Sequence, residues 1–240
     1  MKTIIITGAS GGIGAEIART LDKEDNILIL LYNKNFDKIN KLQSELKCKN
    51  ISFSCDLTNT QEIEKVIGNI LESNPNIYAL INCAGASIVK QIQDYTNDEI
   101  TMLMSLNLTA PIILTKLASR SMISNKLGRI INISSMWGVV GASMESVYSA
   151  TKGGLNTLTL ALAKELGPSN ITVNSICPGL IDTEMNSNLP AGAKEEVISS
   201  TPLGRIGKPE DISSMVEYLL SDNASFITGQ IITVDGGLTL

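Results

Sequence analysis

Apolar residues along this chain fall into two patterns that take turns. Short runs rich in Ile, Leu and Val at 2–7, 27–31, 51–55, 77–81, 128–134, 171–176 and 229–235 contain few polar breaks, as expected of strands buried on both faces. Between them the apolar positions move to helical spacing, predicting helices over 15–21, 36–46, 59–72, 97–122, 148–166 and 209–220. Thr58 or Asn59 is placed to cap the third of these, and Pro209 opens the last. The alternation predicts an α/β fold: a single doubly wound Rossmann-type domain over 1–240, with a mainly parallel seven-stranded sheet and helices on both faces. Such sheets bind ligands at the carboxyl ends of their strands.

Two stretches depart from the pattern. In the helix at 97–122, Pro111 follows Asn107 by four residues; proline has no N–H, so the Asn107 carbonyl loses its helical partner and is left for a water or a side chain. From 180 to 208 the composition turns to Asn, Ser, Pro and Gly, with one short helix at 193–199, and predicts a substrate lid.

Candidate chemistry gathers at the strand ends. Gly8-Ala-Ser-Gly11-Gly12-Ile-Gly14 lies between a strand and a helix, where backbone N–H groups can approach a phosphate. After the second strand comes Tyr32-Asn33-Lys34 in place of the carboxylate that would bind an NAD ribose; Lys34 suits a 2′-phosphate, so NADPH is expected over NADH. Asp56 could bond an adenine amino group or simply close a turn. Asn82-Cys83-Ala84-Gly85 would let backbone pass near a ribose or nicotinamide. Ser135 follows the fifth strand, and Tyr148 and Lys152 are four apart on one helical face.

Charge and composition narrow the chemistry. The formal net charge of −5 without a basic stripe argues against nucleic acid or an anionic membrane as partner. No signal-peptide pattern opens the sequence and no apolar run approaches about 18 residues, which predicts a soluble, cytoplasmic protein. Cys48, Cys55, Cys83 and Cys177 lack C-x-x-C spacing and read as buried thiols, with no metal expected. The chain has no histidine, so a Ser-His-Asp triad, a Cys-His pair and a His-ligated zinc are excluded. Proton transfer then falls to a Tyr, Lys, Asp, Glu or Cys.

Thr7-Gly-x-x-x-Gly12-x-Gly14, Asn82-x-Ala84-Gly85, Asn107, Ser135, Tyr148-x-x-x-Lys152 and Pro178-Gly179 with Thr183 resemble, in order and spacing, the short-chain dehydrogenase/reductase family. The resemblance implies that Tyr148 donates a proton to a carbonyl oxygen held by Ser135. It implies that Lys152 lowers the Tyr148 pKa and contacts the nicotinamide ribose, and that Asn107 offers its main-chain carbonyl to a water serving Lys152. A cation about 4 Å from the phenol would supply the roughly 4 kcal/mol needed to bring it from about 10 towards 7. The cofactor contacts implied are Gly8, Ser10, Gly11, Gly12, Ile13, Gly14, Asn33, Lys34, Asp56, Leu57, Asn82, Ala84, Gly85, Tyr148, Lys152, Pro178, Gly179, Ile181 and Thr183. Cys83 departs from the family, which often has a second Asn there.

Within that family the stretches 201–211 and 228–237 look like the 3-oxoacyl-acyl carrier protein reductases, which are tetramers, so a homotetramer is expected. Those enzymes commonly place two basic residues beside the active-site mouth for the acidic carrier protein; the matching positions are Lys126 and Ser169, so only one is kept. The string from Ser134 to Ala150 with 181–186 looks closer to the elongation factor P 5-aminopentanone reductases, whose ketone lies near an amine that Glu145 could pair with. Met136, Trp137, Met144 and Glu145 are where substrate choice is expected. A regulator that binds NADPH without chemistry is the reading from another class, and such proteins usually lose the tyrosine or lysine.

Overall fold

The computed structural model describes residues 1–187 and 192–240. Seven strands form one sheet: β1 (Lys2–Thr7), β2 (Asn26–Tyr32), β3 (Lys49–Ser54), β4 (Ile77–Asn82), β5 (Gly128–Ile133), β6 (Ile171–Pro178) and β7 (Ile231–Val234). Their order is β3-β2-β1-β4-β5-β6-β7, every neighbouring pair parallel. The doubly wound α/β architecture is therefore as expected, with the order reversing between β1 and β4. Sheets of this kind bind their ligands at such a reversal.

Side-chain alternation divides the core into two layers. Ile4 and Ile6 of β1 and Leu28 and Leu30 of β2 face α1 (Gly12–Thr20), α2 (Phe36–Glu45) and α9 (Pro209–Leu220), meeting Ile17, Leu42 and Val216. Ile5, Ile29 and Leu31 face the other way, towards α3 (Thr60–Ser73), α5 (Ala110–Asn125) and α7 (Ser146–Leu166), meeting Ile63, Ile67, Leu114 and Met122. Each of these side chains is essentially out of water, a gain of about 1.5–3 kcal/mol apiece. β3 closes one edge with alternating exposed residues. Asn59, the second of the two expected caps, accepts from the N–H groups of Gln61 and Glu62.

The helix expected over 97–122 is divided. α4 (Asn97–Met104) passes through a π turn at Ser105–Thr109 into α5, and the Ala110 N–H reaches back to the Ser105 carbonyl. Pro111, lacking a donor, is why the regular ladder cannot continue there. Taken across the turn, Asn97–Asn125 spans 29 residues with mean hydropathy 1.5 in its most apolar window, long and apolar enough to cross a membrane by length and composition. Polar residues such as Asn107, Lys116 and Arg120 interrupt it, and the helix packs on α3 and α7. Two further short helices are present: α6 (Trp137–Val140), which the periodicity did not show, and α8 (Ala193–Ser200), close to the expected 193–199. The expected lid at 180–208 has its base pinned by a bridge between Ile181 and Gly207, and residues 188–191 lie outside the described residues.

Candidate active site

Glycines form the floor of the β1/β4 crevice. Gly8 has φ +67°, and a Cβ there would sit 2.8 Å from the Ala84 Cα, so the turns after β1 and β4 touch. A Cβ on Gly14 would fall 2.3 Å from the Gly8 carbonyl oxygen, and one on Gly12 would fall 2.8 Å from the Thr183 Cγ2. Residues 8–14, 84 and 183 thus meet with only hydrogen atoms between them. α1 starts at Gly12 without a side-chain cap or an acidic residue in its first turn. Its leading N–H groups can therefore take an anion, which fits the phosphates of a dinucleotide.

Around this floor the other expected contacts separate into those brought in and those turned away. Ala84 and Gly85 follow β4, and Pro178 ends β6 with Gly179, Ile181 and Thr183 after it, at the same end of the sheet. Asn33 and Lys34 are exposed just past β2. Leu57 is buried, and Asp56 spends one carboxylate oxygen on the N–H and hydroxyl of Thr58, which holds its pKa low. Asn82 is turned into the sheet instead, donating to Asn132 at 2.8 Å, while Asn132 donates to Thr159 of α7 at 2.9 Å. Thr7 has a larger part than its place in the motif suggests: its hydroxyl accepts from the N–H groups of Cys83 and Ala84 at 2.9 and 3.0 Å.

Ser135, Tyr148, Lys152 and Asn107 converge at the ends of β4, β5 and β6. Ser135 is buried and its Oγ accepts from the Trp137 N–H at 3.2 Å. The chain on either side of it continues the sheet, since Ser134 N donates to Ile176 O and Met136 N to Pro178 O. Lys152 is 3 % exposed and donates from Nζ to the Ile133 carbonyl at 2.9 Å. Asn107, fully buried in the π turn, grips Ala86 from both sides, donating to its carbonyl at 2.9 Å and accepting from its N–H at 3.0 Å. A Cβ on Gly85 would lie 3.2 Å from Asn107 Oδ1 and 3.3 Å from Lys152 Nζ, so this glycine lets the two close on one point.

Burial governs the charges here. It pushes the Tyr148 phenol up to about 12, opposed by a hydrogen bond with Ser135 and reinforced by the charge of Glu145. It pulls the Lys152 ammonium down to about 8. The Lys152 ammonium donates to Ile133 and stands 5.7 Å from the phenol ring centre, and burial, the largest influence, raises the Tyr148 phenol against the lowering expected from Lys152. The Cys48, Cys55 and Cys83 thiols are pushed up to about 12 by burial and are poor nucleophiles.

Beyond Ser135 the walls differ on two sides. Met136, Trp137 and Val140 line a cavity of about 340 Å³ with Glu196 and Val197 of α8 and the last residues, Leu238 to Leu240. A larger cleft of about 470 Å³ lies at the opposite end of the sheet, beside Lys2, Tyr78 and Tyr218, away from this chemistry. On the other side, Met144 is exposed with φ +62°, and the half-buried Glu145 accepts a hydrogen bond from Ser87. Within the chain, Lys126 and Ser169 lie at the opposite end of the sheet from Ser135. They precede β5 and β6, the length of a six-residue strand from Ser135, about 20 Å.

The family model described as enoyl-(acyl carrier protein) reductase matches residues 8–239. The chain belongs to the short-chain dehydrogenase/reductase family. Among relatives in this family, an oxidoreductase of Bacillus subtilis (strain 168) named YmfI, described as uncharacterized, is 38% identical over 98% of each chain. The 3-oxoacyl-[acyl-carrier-protein] reductase FabG of Rickettsia felis is 37% identical over 100% of this chain and 97% of its own. Two solved structures share the family fold. YwfH, an NADPH-dependent reductase involved in bacilysin biosynthesis, superposes with a TM-score of 0.91 at 27% identity, covering 99% of this chain and 98% of its own. 4-Hydroxyisoleucine dehydrogenase complexed with NADH does so with 0.92 at 32%, covering 100% and 99%. The protein is thus an oxidoreductase of this family with a site for a nicotinamide cofactor.

Proposed function

We propose that the protein is an NADPH-dependent reductase that turns a ketone into a secondary alcohol. The observation that carries this reading is the convergence of Ser135, Tyr148 and the enclosed Lys152 at the strand ends, next to a glycine floor shaped for a dinucleotide. The nicotinamide, when bound, supplies the hydride. Ser135 offers its hydroxyl to the carbonyl oxygen, and Tyr148, whose proton burial keeps on the phenol, is placed to give that proton to the developing alkoxide. Lys152 brings positive charge to the same enclosure. Oxidation of NADPH by the purified protein with a ketone, lost by at least about a hundredfold in Tyr148→Phe, is the result expected. Stoichiometric NADPH binding with no turnover across a ketone panel would return the protein to the non-catalytic regulator class.

For the ketone, the full-length similarity to 3-oxoacyl-acyl carrier protein reductases supports a thioester on that carrier. A second reading has its own observation: Glu145 stands half-buried beside Ser87 and close enough to Tyr148 to act on it by charge. A carboxylate there suits a ketone carrying an ammonium, as on a modified elongation factor P. Assays with an acetoacetyl carrier protein and a ketone-bearing elongation factor P separate them; turnover of only the first removes the second reading. We further propose a homotetramer in the cytoplasm; exposed Ile112 on α5, Leu160 on α7 and Phe226 shortly before β7 supply apolar surface for the assembly. Light scattering on the eluting protein gives its mass.

A further inference from the structure

α6 is four residues long, too short to hold its form by its own hydrogen bonds, and only Met136 separates it from Ser135. Its first N–H, that of Trp137, donates to Ser135 Oγ, so the placing of α6 directs the serine hydroxyl. Something outside α6 must anchor it. Asn156 lies on α7 one turn past Lys152 and two past Tyr148, and is 7 % exposed. Its Nδ2 donates to the Gly138 carbonyl of α6 at 3.1 Å. Its Oδ1 accepts from Ser175 Oγ of β6 at 2.9 Å and from Cys177 Sγ at 3.6 Å.

One amide therefore joins the segments carrying Ser135, the Tyr148–Lys152 pair and the residues from Pro178 onward. Gly138 is pressed so close to α7 that a Cβ there would come within 2.7 Å of the Lys152 carbonyl carbon. Burying an amide costs free energy unless its groups are bonded, and a leucine would fill the same space without that cost. Packing alone does not call for asparagine here. Its bonds are what the position supplies.

We propose that Asn156 is a positioning residue, which sets the Ser135 hydroxyl against Tyr148 by anchoring the Gly138 carbonyl and touches neither substrate nor cofactor. The kinetic consequence rests on the ketone-reductase reading; the geometric one does not. Trp137, the chain's single tryptophan, sits on α6 and reports its environment directly. The test is Asn156→Leu, alone and combined with Ser135→Ala. The expected results are a changed Trp137 emission maximum and quenching with the fold intact. With them, kcat should drop on the order of tenfold at unchanged KM for NADPH, a drop that shrinks below about twofold when Ser135 is already alanine. Unchanged Trp137 emission, or losses that multiply in full, would overturn it. If Asn156→Leu does not fold, Ser175→Ala, which removes a donor to Asn156 Oδ1, goes through the same cycle under the same criteria. Should the wild type reduce no ketone, the ketone reading fails while the fluorescence still judges the anchor.

Discussion

Lys152 donates from its ammonium to the Ile133 carbonyl, 2.9 Å away, while standing 5.7 Å from the centre of the Tyr148 ring. A charge this enclosed is costly, and that cost brings the Lys152 pKa down to about 8. The proton is then lost within the range where such enzymes are assayed. Ketone reduction is predicted to fall as pH rises through about 8, because the positive charge at the site disappears there. Lys152→Arg, which stays charged, should move that falling limb to higher pH even if its plateau rate is lower. A pH–rate profile of both proteins checks it, and an unmoved limb in the arginine variant would assign the titration to another group.

The same shift makes a stability prediction of definite sign. Because the folded-state pKa lies below the usual lysine value of 10.5, the penalty for the charged form is fully present below about pH 8. It is relieved as pH rises from about 8 to 10.5, where the unfolded chain binds more protons than the folded one. Lys152→Met should therefore stabilise the cofactor-free protein at pH 7. Allowing for the lost bond to Ile133, the gain is about 2 kcal/mol, or roughly 4–8 °C in Tm. The advantage over wild type should narrow by pH 10, as calorimetry at the two pH values would show.

Most of the fold could be read from the pattern because its strands are buried on both faces and carry few polar breaks, as β1 and β2 do with Ile4, Ile5, Ile6 and Leu28 to Leu31. The residues of the candidate site were legible where a backbone need leaves a residue signature: Gly8 for its positive φ, and Pro111 for the broken ladder beside Asn107. What periodicity could not show is anything created by contact between distant segments. α6 has too few residues to display a period, and Asn156 looks like any of the several polar residues of α7 until Gly138 and Ser175 are beside it. The burial that raises the Tyr148 phenol is likewise made by segments distant in sequence. Spacing told that Lys152 shares a face with Tyr148, but not that its ammonium would be claimed by Ile133.

Thr7 offers a test of the crevice floor. Its hydroxyl accepts from two backbone N–H groups, of Cys83 and Ala84, and lies 3.4 Å from the Ile81 carbonyl as a donor. Thr7→Val keeps the shape and strands both buried donors, which predicts a loss of about 2–4 kcal/mol. The turn carrying Ala84 and Gly85 would shift with it. Thr7→Ser, which keeps the oxygen, should retain most of the stability and of the NADPH affinity. Denaturant unfolding with cofactor titration distinguishes the two, and a valine variant as stable as the serine one would remove Thr7 from this account.

Cofactor choice depends on Lys34. It stands exposed past the carboxyl end of β2, near enough to Asp56 to help hold that carboxyl low, and Tyr32 and Asn33 beside it put no carboxylate at the strand end. A 2′-phosphate there would meet the Lys34 cation, with no carboxylate at the strand end itself to take the ribose hydroxyls in its place. Lys34→Ala is predicted to raise KM for NADPH about tenfold while leaving that for NADH nearly unchanged, since a charge-assisted hydrogen bond is worth about 1.5–3 kcal/mol. Asn33→Asp should act in the opposite sense, repelling the 2′-phosphate and offering the ribose hydroxyls of NADH an acceptor. Because Lys34 is exposed, the preference should weaken with salt as the pair is screened over about 10 Å at 0.1 M. Steady-state kinetics with both cofactors at low and high ionic strength measures all three effects, and a higher kcat/KM with NADH in the wild type would show that the region from Tyr32 to Lys34 selects the other dinucleotide.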